Sequence, residues 1–321
     1  MYNDCMKNIL DPKKIKILWL GTPKISAIVL KKLIESGYNI CGVVCSIDKP
    51  VGRKQEIFPV PTKKIALENN IPVYQPIKIR LDYDFVKEIN PDLILCMAYG
   101  QIIPQGLLDI PKFGCLNLHG SLLPKYRGAA PMQFALLNGD EKTGVTLMQM
   151  IDKMDAGKIY LKKEFPLNDD DNLDSLVLKM ADAAFKSIVE GLSDYINGIN
   201  TGIEQDENLV TFTSKIKPED QTISFENKAV DIKNKIRALT SEPGAYFIYK
   251  NESYKVSSSK VVDIQSNPGE IISYDKNGLS IGTLEKSISF TSIQKPGKKM
   301  IKISDFINGN KNLFVKGEIV K

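Results

Sequence analysis

The chain has 321 residues, 43% of them hydrophobic and 25% charged, with a formal net charge of +5. That length accommodates two domains, and the composition is that of an ordinary globular protein rather than a disordered or fibrous one. No apolar run reaches the roughly 18 residues needed to cross a bilayer, and the opening "MYNDCMKNILDPKK" lacks an apolar core of signal-peptide length. A cytoplasmic protein without membrane contact is therefore expected. Five cysteines form no Cys-x-x-Cys pair and there is a single histidine, which argues against a zinc cluster and for reduced, mostly buried thiols. Residues 206–321 hold 18 Lys and Arg against 14 Asp and Glu, a mild basic excess that suits a polyanionic partner.

In chain order, "IKILWLG" (15–21) reads as a buried strand and "ISAIVLKKLIESG" (25–37) as a helix stopped by glycine. "YNICGVVCSI" (38–47), "DLILCMAYG" (92–100) and "GCLNLHGS" (114–121) read as further strands. Strands alternating with helices imply βαβ units and a parallel sheet, with ligands at the carboxyl ends of the strands. Residues 98–101 and 117–121 fall at such ends. The segment 143–165 reads as two strands around a turn at Asp155-Ala156-Gly157, and 172–198 as one long amphipathic helix. The polar stretch 199–208 reads as a linker. A helix at 228–239 then precedes short strand-like runs, the last of them "LFVKGEIV" (313–320), at the spacing of a small β-barrel or sandwich.

Asn117 and His119 stand two apart at a strand end, so their side chains share a face. An amide and an imidazole there could both donate to an oxygen that becomes negative, and a carboxylate such as Asp155 could hold the ring in one state. Spacing alone leaves His119 open between a buried structural histidine and a reacting one. It leaves Asp155 open as a plain hairpin-turn residue. No Gly-x-Ser-x-Gly, Gly-x-Gly-x-x-Gly or Walker motif is present. Lys295, Lys298, Lys299 and Lys302 form a basic cluster that suits either a nucleic-acid platform or a solvated edge strand.

"NLHGSLLPKYRGAAP" followed by "GVTLMQMIDKMDAG" resembles the signature of the folate-dependent formyltransferases. "ILWLGTP", "VGRKQEIFPVPTKKIALENNIPVYQP", "SKIKPEDQTISF", "KIRALTSEPGAYF" and "IQKPGKKMIKISDFINGNK" extend the resemblance over nearly all of the chain beyond residue 14. It implies an α/β fold: a Rossmann-like, mostly parallel formyltransferase domain at 1–198, whose first 14 residues have no counterpart, a linker at 199–211, and an OB-fold-like β-barrel that binds tRNA at 212–321. It implies formyl transfer from 10-formyltetrahydrofolate, the co-substrate, to the α-amino group of methionine on initiator tRNA. No metal is required and a monomer is expected. Asn117, His119 and Asp155 fall on the family's catalytic positions. Ser121, Leu122, Leu123 and Pro124 match its folate loop, with Met97, Ala98 and Tyr99 alongside. Arg127, Gly128 and Pro131 shape the return into the next helix. Arg53 and Lys54 lie in a loop that, in the family, reaches the end of the acceptor stem. Family members acting on a sugar-nucleotide amine or on glycinamide ribonucleotide, a formylfolate hydrolase, and a binding module on an inactive scaffold are the alternatives.

Overall fold

The computed structural model describes residues 9–51, 56–240 and 242–320. The chain opens with β1 (Ile17–Leu20), α1 (Lys24–Glu35) and β2 (Ile40–Val44), then a hairpin of β3 (Lys49–Val51) and β4 (Glu56–Phe58). Next come α2 (Pro61–Glu68), β5 (Val73–Tyr74), α3 (Asp84–Ile89), β6 (Leu93–Cys96), α4 (Gln105–Leu108) and β7 (Cys115–His119). The two-residue β8 (Arg127–Gly128), α5 (Pro131–Leu137), β9 (Lys142–Gln149), β10 (Ile159–Pro166) and the 24-residue α6 (Leu173–Ile196) follow. Pro61 and Pro131 stand in the first turns of α2 and α5, where a missing N–H breaks no helical bond.

Seven strands form one sheet in the order β10-β9-β7-β6-β1-β2-β5. Every side chain of β1 and β6 is buried, as continuous apolar runs in a parallel sheet require. β1 pairs in parallel with β2 on one side and β6 on the other, so the winding reverses at β1. β7 is parallel to β6 but antiparallel to β9. The expected strands at 15–21, 38–47, 92–100 and 114–121 are β1, β2, β6 and β7, and the expected hairpin and long helix are β9–β10 and α6.

The chain divides into two compact units: Met1–Gly128, Thr143–Phe165 and Val177–Phe212 in the first, and Ala129–Lys142, Pro166–Leu176 and Thr213–Lys321 in the second. The second unit thus takes in two pieces that the sequence reading gives to the N-terminal domain. The physical reason lies in α7 (Ala229–Ala238): α5 packs against it, and Arg237 of α7 donates to the Asn168 carbonyl at 3.1 Å. The stretch expected as a linker is bonded along the first unit. Ile203 and Ile159 exchange backbone hydrogen bonds of 2.8 Å, and the Thr211 carbonyl accepts from Arg127 N at 2.9 Å. β11 (Phe212–Thr213) pairs with β8.

In the second unit β12 (Ala245–Tyr249), β13 (Glu252–Val262), β14 (Ile271–Asp275), β15 (Gly278–Gly282), β16 (Ser287–Gln294) and β17 (Ile301–Lys302) form an antiparallel sheet in the order β12-β13-β16-β15-β14, with β17 on β16. It wraps one apolar core in which Phe247 stacks on Tyr254 and Phe290, with ring centroids 5.6 and 5.4 Å away. The run 313–320, expected as a strand, forms no regular strand: it meets the start of β14 through an isolated bridge from Ile319 to Glu270 and backbone bonds between Gly317, Glu318 and Val320 and residues 269 and 271. Gly317 at φ +84° and a bond from Glu318 N to the Val315 carbonyl turn the chain there, yet Phe314 still reaches the core. Among the described residues no helix is long and apolar enough to cross a membrane.

Candidate active site

Asn117 and His119 alternate on β7 and therefore share a face, with Asn117 half-buried and His119 buried. Asp155 comes from the turn between β9 and β10. His119 faces Thr146 across the antiparallel pair, and Met150 N bonds the Cys115 carbonyl. The chain has therefore run back past the histidine before the turn begins, and the turn must fold along β7 to return. Gly157 permits this, because a β-carbon there would lie 2.1 Å from the Gln149 carbonyl oxygen. Asp155 takes φ +51°, a conformation that asparagine and aspartate tolerate better than most residues.

The result is a clamped imidazole. His119 Nδ1 lies 3.5 Å from Asp155 Oδ1, and Nε2 lies 2.9 Å from the Tyr126 carbonyl oxygen. A carbonyl only accepts, so Nε2 carries a proton. An ionised carboxylate also only accepts, so both contacts are favourable together when the ring is an imidazolium. Gly128 N donates to Asp155 Oδ2 at 2.8 Å and holds the other carboxylate oxygen. Both ring nitrogens are thus engaged, which differs from the expectation that His119 presents a free N–H to the reacting oxygen. The Asn117 side chain makes no hydrogen bond among the described residues.

The residues expected at the folate separate by direction. β6 and β7 are in parallel register at Cys96 and Asn117, so 97–99 and 118–121 leave adjacent strands at one edge. Ala98 is exposed, at φ +54°, while Met97 and Tyr99 are buried. Ser121 is buried, with its hydroxyl donated to the Lys125 carbonyl at 2.6 Å, and Leu123 packs with Met148 and Ile159. Leu122 and Pro124 are half-buried. The Tyr99 hydroxyl is buried without a partner among the described residues. Half-buried apolar side chains with an unmatched hydroxyl at the neighbouring strand end fit a flat heteroaromatic ring with a polar edge.

The loop is fastened from β9. Thr146, fully buried, donates its hydroxyl to the Ser121 carbonyl at 2.7 Å and accepts from Leu123 N at 3.1 Å. Thr146→Val keeps the shape but strands both backbone groups. It is expected to cost about 2 kcal/mol, read as a lowered urea midpoint.

Cys45, Cys96 and Cys115 are buried and free, and Cys41 is half-buried. Burial pushes the Cys45 thiol up to about 11 and Cys96 up to about 12, so neither offers a thiolate nucleophile near neutrality. Among the described residues no three His, Cys, Asp or Glu side chains gather as a metal site would need.

Sequence reasoning missed the second ring of groups. Arg127 is fully buried, with Nε and Nη2 donating to Gln205 Oε1 at 3.0 and 2.8 Å and Nη2 pairing with Glu207 Oε1 at 2.8 Å. Gln205, in the supposed linker, returns its amide to the carbonyls of Asp155 and Gly157. The sequence carried one usable hint, an arginine eight residues after the motif histidine, whose burial demands a partner. Arg53 and Lys54 lie outside the described residues. Lys298 and Lys299, on the turn from β16 to β17, and Lys302, in β17, are exposed and make no ion pair among the described residues. Lys295 differs: its ammonium donates to Asn310 Oδ1 at 2.7 Å and lies over the Phe306 ring.

Residues 13–192 match the formyl transferase family model, and residues 215–311 match the formyl transferase C-terminal domain. A methionyl-tRNA formyltransferase from Mycoplasma mycoides subsp. mycoides is 43% identical over 299 residues, 91% of this chain and 94% of that protein. In fold the chain is similar to the methionyl-tRNA formyltransferase from Clostridium thermocellum, with TM-score 0.55 at 21% identity, over 77% of this chain and 94% of that one. It is also similar to HypX from Aquifex aeolicus, solved with tetrahydrofolic acid, with TM-score 0.67 at 17% identity over 96% of this chain. It spans half of that longer chain. With both domain families matched in order, and this identity over nine-tenths of its length, the chain belongs to the methionyl-tRNA formyltransferases of the formyl transferase family.

Proposed function

We propose that the chain moves the formyl group of 10-formyltetrahydrofolate to the α-amino group of methionyl initiator tRNA, giving N-formylmethionyl-tRNA for translation initiation in the cytoplasm. The observation that carries this is the His119 ring held between the Asp155 carboxylate and the Tyr126 carbonyl, beside the unengaged Asn117 amide. The donor supplies a formyl carbon already at the oxidation level of the product.

Ala98, Leu122 and Pro124 would lie against the donor ring, and the Tyr99 hydroxyl and the backbone of 97–99 would meet its polar edge. Ser121 and Leu123 act from behind, by shaping the loop. The chemistry is an exchange of one carbon–nitrogen bond for another. The neutral amine bonds to the formyl carbon, the bond to N10 breaks, and one proton passes from the amine toward N10. Asn117 donates to the formyl oxygen as it gains negative charge. His119 adds the charge of its imidazolium, and joins directly by exchanging its bond to the Tyr126 carbonyl. Asp155 balances that charge and takes part in the proton transfer through water. Esterification of the methionine lowers the basicity of the amine, so it arrives neutral more readily than a lysine would.

Lys298, Lys299 and Lys302 would meet tRNA phosphates, with Arg53 and Lys54 at the acceptor end, and the antiparallel unit serves as the platform. Lys298→Gln with Lys299→Gln is expected to weaken binding alike for all tRNAs and to flatten the plot of log affinity against log salt by about 1 for each lysine. Unchanged affinity and slope would remove this surface from the account. The acceptor is tested by offering labelled donor with methionyl initiator tRNA, a sugar-nucleotide amine, or glycinamide ribonucleotide. Formylation of the tRNA is expected. Formylation of one of the small amines alone would overturn the reading.

A further inference from the structure

The segment 203–211 does more than connect. Gln205 is the one buried residue of that segment, 9% exposed, and its amide uses its full bonding capacity. Its oxygen accepts from Arg127 Nε and Nη2 at 3.0 and 2.8 Å, and its nitrogen donates to the carbonyls of Asp155 and Gly157 at 2.9 and 2.8 Å. Arg127 stands between the two residues that touch the reacting pair. Tyr126 accepts from His119 Nε2, and Gly128 donates to Asp155 Oδ2. The contacts therefore close a ring: His119, Tyr126, Arg127, Gln205, Asp155 and back to His119.

Two non-glycine residues of that ring sit in the left-handed region, Tyr126 at φ +63° and Asp155 at φ +51°. Such backbone persists only where its surroundings over-determine it. Gln205 supplies this at Asp155. Thr211 supplies it at Tyr126, whose N–H donates to the threonine Oγ1 at 2.8 Å.

We propose that Gln205 is a positioning residue for the reaction, fixing where the Asp155 carboxylate meets the His119 ring. This rests on the reading of His119 and Asp155 as the reacting pair. An apolar side chain could fill the space, but only a primary amide satisfies a guanidinium on one side and two carbonyls on the other.

Gln205→Glu separates the two arms. The carboxylate still accepts from Arg127 but sets an oxygen against the carbonyls of Asp155 and Gly157. Formyl transfer to charged initiator tRNA is expected to lose 10- to 100-fold in kcat with KM for both substrates within about threefold. The second readout needs no substrate. His119 is the chain's single histidine, so the ring 15N signals of the whole protein report one imidazole. They are expected to leave the pattern of the parent protein in Gln205→Glu, alongside a lower melting temperature, because the carbonyls of Asp155 and Gly157 lose their donor. Gln205→Met, which removes both arms without adding charge, is expected to do the same and covers the case in which Gln205→Glu does not fold. Parent-like kcat together with parent-like ring signals would overturn the proposal. So would a loss confined to KM and melting temperature with unchanged ring signals. If the parent protein formylated no tRNA, the functional reading would fail alone, and the ring signals would still decide the role of Gln205.

Discussion

His119→Ala and Asp155→Asn are each expected to slow formyl transfer by about 10³- to 10⁴-fold at saturating substrates, with little change in the affinity for tRNA. The asparagine is the more informative of the two. Its amide oxygen can still accept from Gly128 N, so the turn keeps its place. Its NH₂ would face Nδ1, which favours a ring unprotonated at Nδ1 and still bonded through Nε2 to the Tyr126 carbonyl. The histidine then stays oriented but uncharged. A loss close to that of the alanine variant shows that charge, more than placement, is what the pair contributes. A rate within tenfold of the parent protein for either variant would remove the pair from the chemistry. Both are read in single turnovers with enzyme in excess, so that product release does not mask the step.

Asn117→Ala is expected to cost about 10²- to 10³-fold in kcat, the usual effect of deleting one preorganised donor to a developing oxyanion. In the resting structure His119 has both nitrogens engaged, which leaves the Asn117 amide as the donor free from the start. Asn117→Asp presents a negative charge to an oxygen that is becoming negative and is expected to fall below the alanine variant. An aspartate variant faster than the alanine one would mean that residue 117 orients the amine rather than the oxygen.

Much of this arrangement could be read in the sequence, and the reasons are local. Unbroken apolar runs such as "ILWL" fit only a strand covered on both faces, and the i, i+2 spacing of Asn117 and His119 fixes a common side. Asp155 was recognisable from the family's pattern, although its distance in the chain hid the pairing. What was not legible depends on backbone atoms or on direction after a strand ends. The Tyr126 carbonyl that takes His119 Nε2 has no residue type to announce it. The inward turn of Ser121 and Leu123 follows from Thr146 on another strand. Gln205 sat in a polar stretch with the composition of a linker, and only the burial of Arg127 explains why a glutamine is there. The final run 313–320 had strand composition, but Gly317 bends it.

The central claim is that His119 and Asp155 act as one unit, and a double-mutant cycle on the chemical step tests it most directly. Single-turnover rates of formyl transfer to methionyl initiator tRNA would be measured for His119→Ala, Asp155→Asn and the two combined. The account predicts a double variant about as slow as the slower single one, because each change already breaks the His119–Asp155 pair. Losses that multiply in full would show two residues working independently and would contradict it.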